Sequence, residues 1–334
     1  HVWHPPERYP QWKSLPCNNL AALANPSNGE SHGIRGHLYE VYHQMRTSST
    51  KNASIAEIVT GHYIQHSPKP SKKVILWIYG GAFLAGDSKG NLGIAEKMGM
   101  MCAGEGGDDG GQNGMRDVFI PDYRLVPEHH LDDAIHDITL GYEYLIYERG
   151  IRSEDIILVG ISSGGGLVML LLQALAKARH EFETKKEARE GEGNASSSFV
   201  PMPAGGVMMG PFVDYTEPMG SMKEYIKHDL IVNQSVFDGN IHYLEEVLGS
   251  HENRVRASPV YGNFEGIPPL CICVSEHEVV YDQTMVLAKR AKEQGVDVTV
   301  GVWKYMCHIF PLLCPFVPEG RESFNFMCEW IQKH

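Results

Sequence analysis

The stretch Gly160-Ile-Ser-Ser-Gly-Gly-Gly-Leu167 places Ser162 at the centre of a Gly-x-Ser-x-Gly pentapeptide. Before it runs DIILVG (Asp155–Gly160), short and β-branched, the pattern of a strand buried on both faces. After it runs LVMLLLQAL (Leu167–Leu175), long and Leu-rich enough for a buried helix. A strand that turns sharply into a helix needs small residues flanking the apex, because a Cβ there would meet neighbouring backbone; Gly160 and Gly164 satisfy that need. The apical serine then presents its hydroxyl above a helix N-terminus, whose free N–H groups favour developing negative charge. Taken alone, the pentapeptide is equally compatible with a Gly-rich turn that happens to hold a serine.

Strand patterns recur on both sides of this point: Ile55–Gln65, Lys73–Tyr79, Asp117–Asp122, Asp155–Gly160, Ala204–Gly210, Leu270–Ser275 and Asp297–Trp303. Helical periodicity lies between most of them. Leu131–Tyr147 carries Ala134, Ile135, Ile138, Tyr142 and Leu145 on one face, and Asp282–Gln294 stops at Gly295. The alternation predicts an α/β fold with a mainly parallel central sheet flanked by helices. Residues 1–51 read as an N-terminal cap or lead-in with one amphipathic helix at Leu38, Val41, Tyr42 and Met45. Residues 52–213 read as the first part of the core, 214–257 as an inserted cap segment, and 258–334 as the second part of the core. The insert carries its own helix, with Phe237, Ile241, Leu244 and Leu248 on one face and Gly249 at its end. Gly104–Gly114 and Glu181–Ser198 read as flexible surface loops, and Asp108 and Asp109 make a weak case for a metal site. No internal repeat is found.

A chain of 334 residues with a formal net charge of −12 lacks the basic face that nucleic acid or an anionic membrane surface requires. No apolar run reaches the roughly 18 residues of a membrane span, so the expectation is a soluble protein. Seven cysteines (17, 102, 271, 273, 307, 314, 328) without CxxC spacing argue against zinc and against a disulfide framework, and read as buried thiols. The chain begins at His1 without an initiator Met, which leaves compartment open. Sequons at Asn52, Asn194 and Asn233 would permit glycosylation of a secreted form. Neither Gly-rich loop carries a P-loop or GxGxxG spacing, and no cofactor is expected.

A serine hydroxyl is a weak nucleophile, so acyl transfer at Ser162 also needs a base, an orienting acid and donors for the oxyanion. In a doubly wound sheet these collect beyond the carboxyl ends of strands. His308 follows the strand Asp297–Trp303, and Glu278 follows Leu270–Ser275. The order Ser, acid, His is that of α/β-hydrolases. Tyr79-Gly80-Gly81-Ala82-Phe83 follows the strand Lys73–Tyr79; the N–H groups of Gly80, Gly81 and Ser163 are the expected oxyanion donors. Glu276 and Asp282 compete for the acid's role, the first out of step in spacing, the second placed to cap the next helix. The run SEHEVVY is not a zincin motif, since Tyr281 stands where the second His belongs.

With these elements in place, the chain resembles the hormone-sensitive-lipase-like carboxylesterase family of α/β-hydrolases, from about Lys73 to the C-terminus. The resemblance is carried by YGGAF at Tyr79, DYRLVPEH at Asp122, GISSGG at Gly160, GPFVD at Gly210, SPVYGNFEGIPP at Ser258, EVVYD at Glu278 and CHIF at Cys307. It implies an α/β-hydrolase core with a helical cap and a Ser162–Glu278–His308 triad. It further implies framework ion-pair roles for Arg124 and Glu128. Tyr79 departs from the His that usually opens the oxyanion motif: it either supports the loop or offers its hydroxyl to the oxyanion. Ile161-Ser162-Ser163 departs from Asp-Ser-Ala, Glu278 stands where many members have Asp, and the Pro after the PEH element is missing. The expected function is a serine carboxylic-ester hydrolase acting through an acyl-enzyme on a small to medium apolar ester. An amidase or N-deacetylase, or a small-ligand receptor on the same fold, is the alternative. Substrate identity and oligomeric state are not encoded in any motif.

Overall fold

The structure, a computed structural model, describes residues 2–3, 37–45, 57–66, 70–103, 115–187, 201–216 and 220–334. Its centre is a nine-stranded sheet. The strands are β1 (Val2–Trp3), β2 (His37–Met45), β3 (Glu57–Gln65), β4 (Val74–Ile78), β5 (Asp117–Pro121), β6 (Ile156–Ile161), β7 (Gly205–Met209), β8 (Leu270–Ser275) and β9 (Val298–Trp303). Across the sheet they lie in the order β1-β9-β8-β7-β6-β4-β5-β3-β2. Every pairing is parallel except those of β3 with β2 and with β5. All residues of β4, β5, β6, β7 and β8 are buried, which is why these strands read as continuous apolar runs without alternation.

Helices enclose the sheet in two layers. They are α1 (Ser88–Met101), α2 (Leu131–Glu143), α3 (Ser163–Glu187), α4 (Gly220–Tyr225), α5 (Gln234–Leu248), α6 (His251–Ala257), α7 (Tyr281–Glu293) and α8 (Pro318–Lys333). α1 touches α8, and α2 touches α3 while α3 lies along β6, β7 and β4. α1 begins at Asp87, whose carboxylate accepts from the Gly90 N–H at 2.6 Å. α7 closes before Gly295, whose positive φ (88°) suits the stop expected there. The inserted segment contributes α4, α5 and α6, and Gly249, at φ 71°, ends α5.

Three expectations need correction. The segment at Leu38–Met45 is not a helix but strand β2, paired antiparallel with β3 over nine residues from His37↔Gln65 to Met45↔Glu57. Positions 38, 41, 42 and 45 fit a helical stripe, yet so short a helix is marginal by itself, and the long neighbouring strand offers a full ladder of hydrogen bonds instead. Residues 181–187 continue α3 rather than opening a loop, and Lys and Glu, in which the run is rich, are good helix formers. The helix expected to reach Tyr147 ends at Glu143 and widens into one π-helical turn over Tyr144–Glu148. The Gly-rich run with Asp108 and Asp109, most of the first 51 residues, and the sequons at Asn52 and Asn194 lie outside the described residues.

Candidate active site

Five consecutive strands, β9, β8, β7, β6 and β4, send their carboxyl ends to one edge of the molecule, and the loops that follow them form the site. At the end of β6 the chain turns through Ser162, which adopts the left-handed region at φ 53° and remains half-buried. The turn is closely packed on both sides. A Cβ at Gly164 would sit 2.2 Å from the Ile78 carbonyl oxygen, and one at Gly160 2.4 Å from that of Gly164. The small flanking residues are therefore a steric necessity of this strand–turn–helix.

His308 and Glu278 reach Ser162 from the two neighbouring loops. His308 Nε2 lies 2.8 Å from Ser162 Oγ, and its Nδ1 lies 2.8 Å from Glu278 Oε2. A carboxylate only accepts, so Nδ1–H donates to Glu278 and Nε2 is left to accept the serine proton. Glu278 is fully buried, and its other oxygen accepts the Ser275 N–H at 2.7 Å. Burial pushes the Glu278 carboxyl up, while the hydrogen bond from His308 pulls it back. For His308, burial opposes the charged form, but the hydrogen bond and charge of Glu278 and the charge of Asp229 outweigh it, and its pKa is raised above the ordinary 6.5.

The loop that carries His308 is held on several sides. Ser275 Oγ accepts the N–H groups of both His277 and Met306 at 3.2 Å, and Tyr305 N–H donates to His277 Nδ1 at 3.2 Å. Tyr305 and Ile309, on either side of His308, have positive φ (60° and 51°). Among the described residues, the non-glycine positions at positive φ are Ala82, Phe83, Ser162, Tyr305 and Ile309, all of them in the loops of this site. Such conformations cost energy and persist where the surroundings enforce them.

The turn after β4 lies against the serine from the other side. A Cβ on Gly80 would stand 3.0 Å from Ser162 Cβ, and Gly81, at φ 135°, accepts the N–H groups of Leu84 and Ala85 at 3.0 and 3.1 Å. Ser163 is buried at the first position of α3, where backbone N–H groups have no intrahelical acceptor. Its hydroxyl accepts the Phe83 N–H at 3.4 Å, so the spare hydroxyl beside Ser162 fastens the turn to the helix.

Tyr79 is buried, and its ring stacks on Tyr123 with centroids 4.3 Å apart. The two residues exchange hydrogen bonds: Tyr123 Oη donates to the Tyr79 carbonyl at 2.8 Å, and Tyr79 Oη accepts the Tyr123 N–H at 3.2 Å. The Tyr79 hydroxyl is thus engaged with the backbone of the DYRLVPEH segment. In that segment Arg124 grips Asp137 through two nitrogens (2.9 and 2.8 Å) and reaches Asp133 at 3.2 Å, while Glu128 is exposed. Of the competing carboxylates, Asp282 accepts the Ser221 N–H at 2.7 Å and so ties α7 to α4. Glu276 lies 3.6 Å from His277.

Two residues of the site carried no role in the sequence reading. Gly210, after β7, has φ 49°, and a Cβ there would stand 2.8 Å from Glu278 Oε2 and 3.1 Å from His308 Nδ1. Its signal was its place after a strand next to the serine's. Asp229, between α4 and α5, accepts the His308 N–H at 2.8 Å, and nothing in its local sequence points to that contact. The six described cysteines stand outside any disulfide, and all but Cys307 are buried. Among the described residues, no cluster of His, Cys, Asp and Glu is arranged to hold a metal ion, and no helix is long and apolar enough to cross a membrane.

A strand-to-helix serine, a histidine and a buried carboxylate beyond successive parallel strands define an α/β-hydrolase. The family model described as alpha/beta hydrolase fold matches residues 113–312, and the chain belongs to that family. Within it, the chain stands with the hormone-sensitive-lipase-like carboxylesterases. An esterase structure from the bacterial hormone-sensitive lipase family is 28% identical with a TM-score of 0.65, over 82% of this chain and 81% of its own. An acetyl-hydrolase of Streptomyces hygroscopicus is 25% identical over 80% of this chain and 79% of its own length. An esterase of Acinetobacter venetianus is 26% identical over 77% of this chain and 74% of its own length.

Proposed function

We propose that the chain is a serine carboxylic-ester hydrolase in which Ser162 is the nucleophile, His308 the general base and acid, and Glu278 the acid that orients it. The observation that carries this reading is the unbroken line Ser162 Oγ–His308 Nε2, His308 Nδ1–Glu278 Oε2, with 2.8 Å at each step. His308 takes the hydroxyl proton as Ser162 attacks the ester carbonyl. The N–H groups of Gly80, Gly81 and Ser163 receive the oxyanion, and His308 returns the proton to the departing alkoxide. Water activated by the same histidine then releases the acid from the acyl-enzyme. Tyr79 acts as loop support: its mutual bonds with Tyr123 take the place of the histidine that opens this motif in the family.

The substrate is a small to medium apolar ester. Phe83, Phe212 and Tyr215 pack edge and face beside the serine turn, with Phe83 and Tyr215 rings 5.5 Å apart and Phe212 N–H bonded to the Ser162 carbonyl at 2.9 Å. The names of relatives as acetyl-hydrolase and esterase support an ester as the substrate. The inserted segment, whose described helices are α4, α5 and α6, serves as the cap over the entrance.

Labelling with a fluorophosphonate probe followed by peptide mapping tests the nucleophile, with the adduct expected on Ser162. Ser162→Ala is expected to abolish turnover of p-nitrophenyl acetate. Turnover at the wild-type rate in Ser162→Ala would move the nucleophile elsewhere, and an unlabelled, inactive wild-type protein would favour a receptor on this fold.

A further inference from the structure

The carboxylate of Asp229 is nearly buried and receives three hydrogen bonds, all from backbone N–H groups. Oδ1 accepts from Ile231 at 2.8 Å and from Val232 at 3.0 Å, which folds the turn between α4 and α5 around the side chain. Oδ2 accepts from the N–H of His308 at 2.8 Å, across 79 residues of sequence. One oxygen therefore builds a turn of the inserted segment, and the other holds the backbone of the residue proposed as the base. We infer that Asp229 is a positioning residue for the ester hydrolysis: it fixes His308 in line with Ser162 and supplies a second negative charge beside the imidazolium formed during acylation.

This rests on the functional reading of Ser162 and His308. Among the described residues, the charged and titratable groups seen against the His308 loop are few. Glu278, from the loop after β8, bonds to Nδ1; Asp229, from the inserted segment, bonds to the backbone N–H; His277 accepts the Tyr305 N–H, with Glu276 3.6 Å from it. Of these, Glu278 and Asp229 act on His308, and both favour its charged form. A charge-assisted hydrogen bond is stronger than a neutral one and falls off steeply with misalignment. The loop that it restrains is otherwise bent through left-handed positions at Tyr305 and Ile309, so release of the His308 N–H frees a strained segment. The inserted segment thereby becomes part of what aligns the base.

The test uses Asp229→Asn and Asp229→Ala with p-nitrophenyl acetate, reading kcat and KM separately, the pH profile of kcat/KM and the thermal midpoint. In Asp229→Asn the amide oxygen can keep the turn at Ile231 and Val232, while the charge and the acceptor for His308 are lost. Its kcat is expected to fall about tenfold to a hundredfold, with KM changed less than about threefold, and the acid limb of kcat/KM to move to lower pH. Asp229→Ala is expected to show the same shift of the limb with a larger loss. If Asp229→Ala does not fold, Asp229→Asn carries the test. Wild-type kcat and an unmoved acid limb in Asp229→Asn would overturn the inference. So would a lowered thermal midpoint with the limb unmoved, since that is a purely structural role. Fluorophosphonate labelling of the wild-type protein separates the two failures: no adduct on Ser162 sinks the functional reading, whereas an adduct with an indifferent Asp229→Asn sinks only the role of Asp229.

Discussion

Gly210 shows how tightly single residues constrain this site. A Cβ on it would press against both Glu278 Oε2 and His308 Nδ1, and its φ of 49° lies in the left-handed region. Gly210→Ala adds a methyl group that must displace Glu278 or His308, and a misplacement near 1 Å costs about a hundredfold in rate. The expected result is a fall in kcat of about tenfold to a hundredfold with a folded far-UV circular dichroism spectrum; unaltered kcat would show that the pair tolerates displacement. His308 makes a second prediction. As the proposed base, His308 accepts the serine proton only in its neutral form, and its pKa is raised, so activity is expected to be full above that pKa and lost as pH falls through it. The acid limb of kcat/KM should therefore have its midpoint above 6.5, and a midpoint below this value would contradict the balance of burial and carboxylates described above. That Ser162, His308 and Glu278 lie together was legible in the sequence because each follows its own apolar strand by a few residues. Asp229 was not, because its partner is a backbone N–H 79 residues away, and no side-chain pattern encodes such a contact.

At the scale of elements, the strands of the parallel core were readable because burial on both faces leaves continuous apolar runs. β2 was not, since a sheet edge with Leu38, Tyr39 and Glu40 exposed has a pattern as compatible with a helix, and only its partner β3 decides the matter. The helices show a clear division of labour. α3 carries the serine turn, while α8 closes the opposite layer with Trp330, whose ring tip would lie 2.6 Å from a Cβ on Gly205 at the start of β7. Trp330 is nearly buried, and truncation leaves a cavity against the sheet. Trp330→Ala should lower unfolding free energy by about 3–5 kcal/mol in urea denaturation; a loss under about 1 kcal/mol would mean that α8 can settle into the gap.

For the molecule as a whole, the thiols offer a probe of the core. Cys102, Cys271, Cys273, Cys314 and Cys328 are buried, and burial pushes the Cys314 thiol up to about 11 and those of Cys271 and Cys273 higher still. The thiolate is the reactive form, so burial and low ionisation act together. In the native protein at pH 8 these five should resist a disulfide reagent such as Ellman's and react only once the chain is unfolded. Prompt reaction of more than two of the seven thiols would show that the core opens on the time scale of the assay.

The lateral order of the sheet has a further meaning for how such a protein can change. His308, Glu278, Gly210, Ser162 and Gly80 hang from β9, β8, β7, β6 and β4, which are neighbours in that sequence. Strands in a sheet stand about 4.8 Å apart, a distance set by the backbone and indifferent to side chains. The frame therefore works as a jig: its teeth keep their spacing while the material between them is exchanged, so the loops and the inserted segment can be rebuilt for a new ester while the spacing of Ser162, His308 and Glu278 is kept.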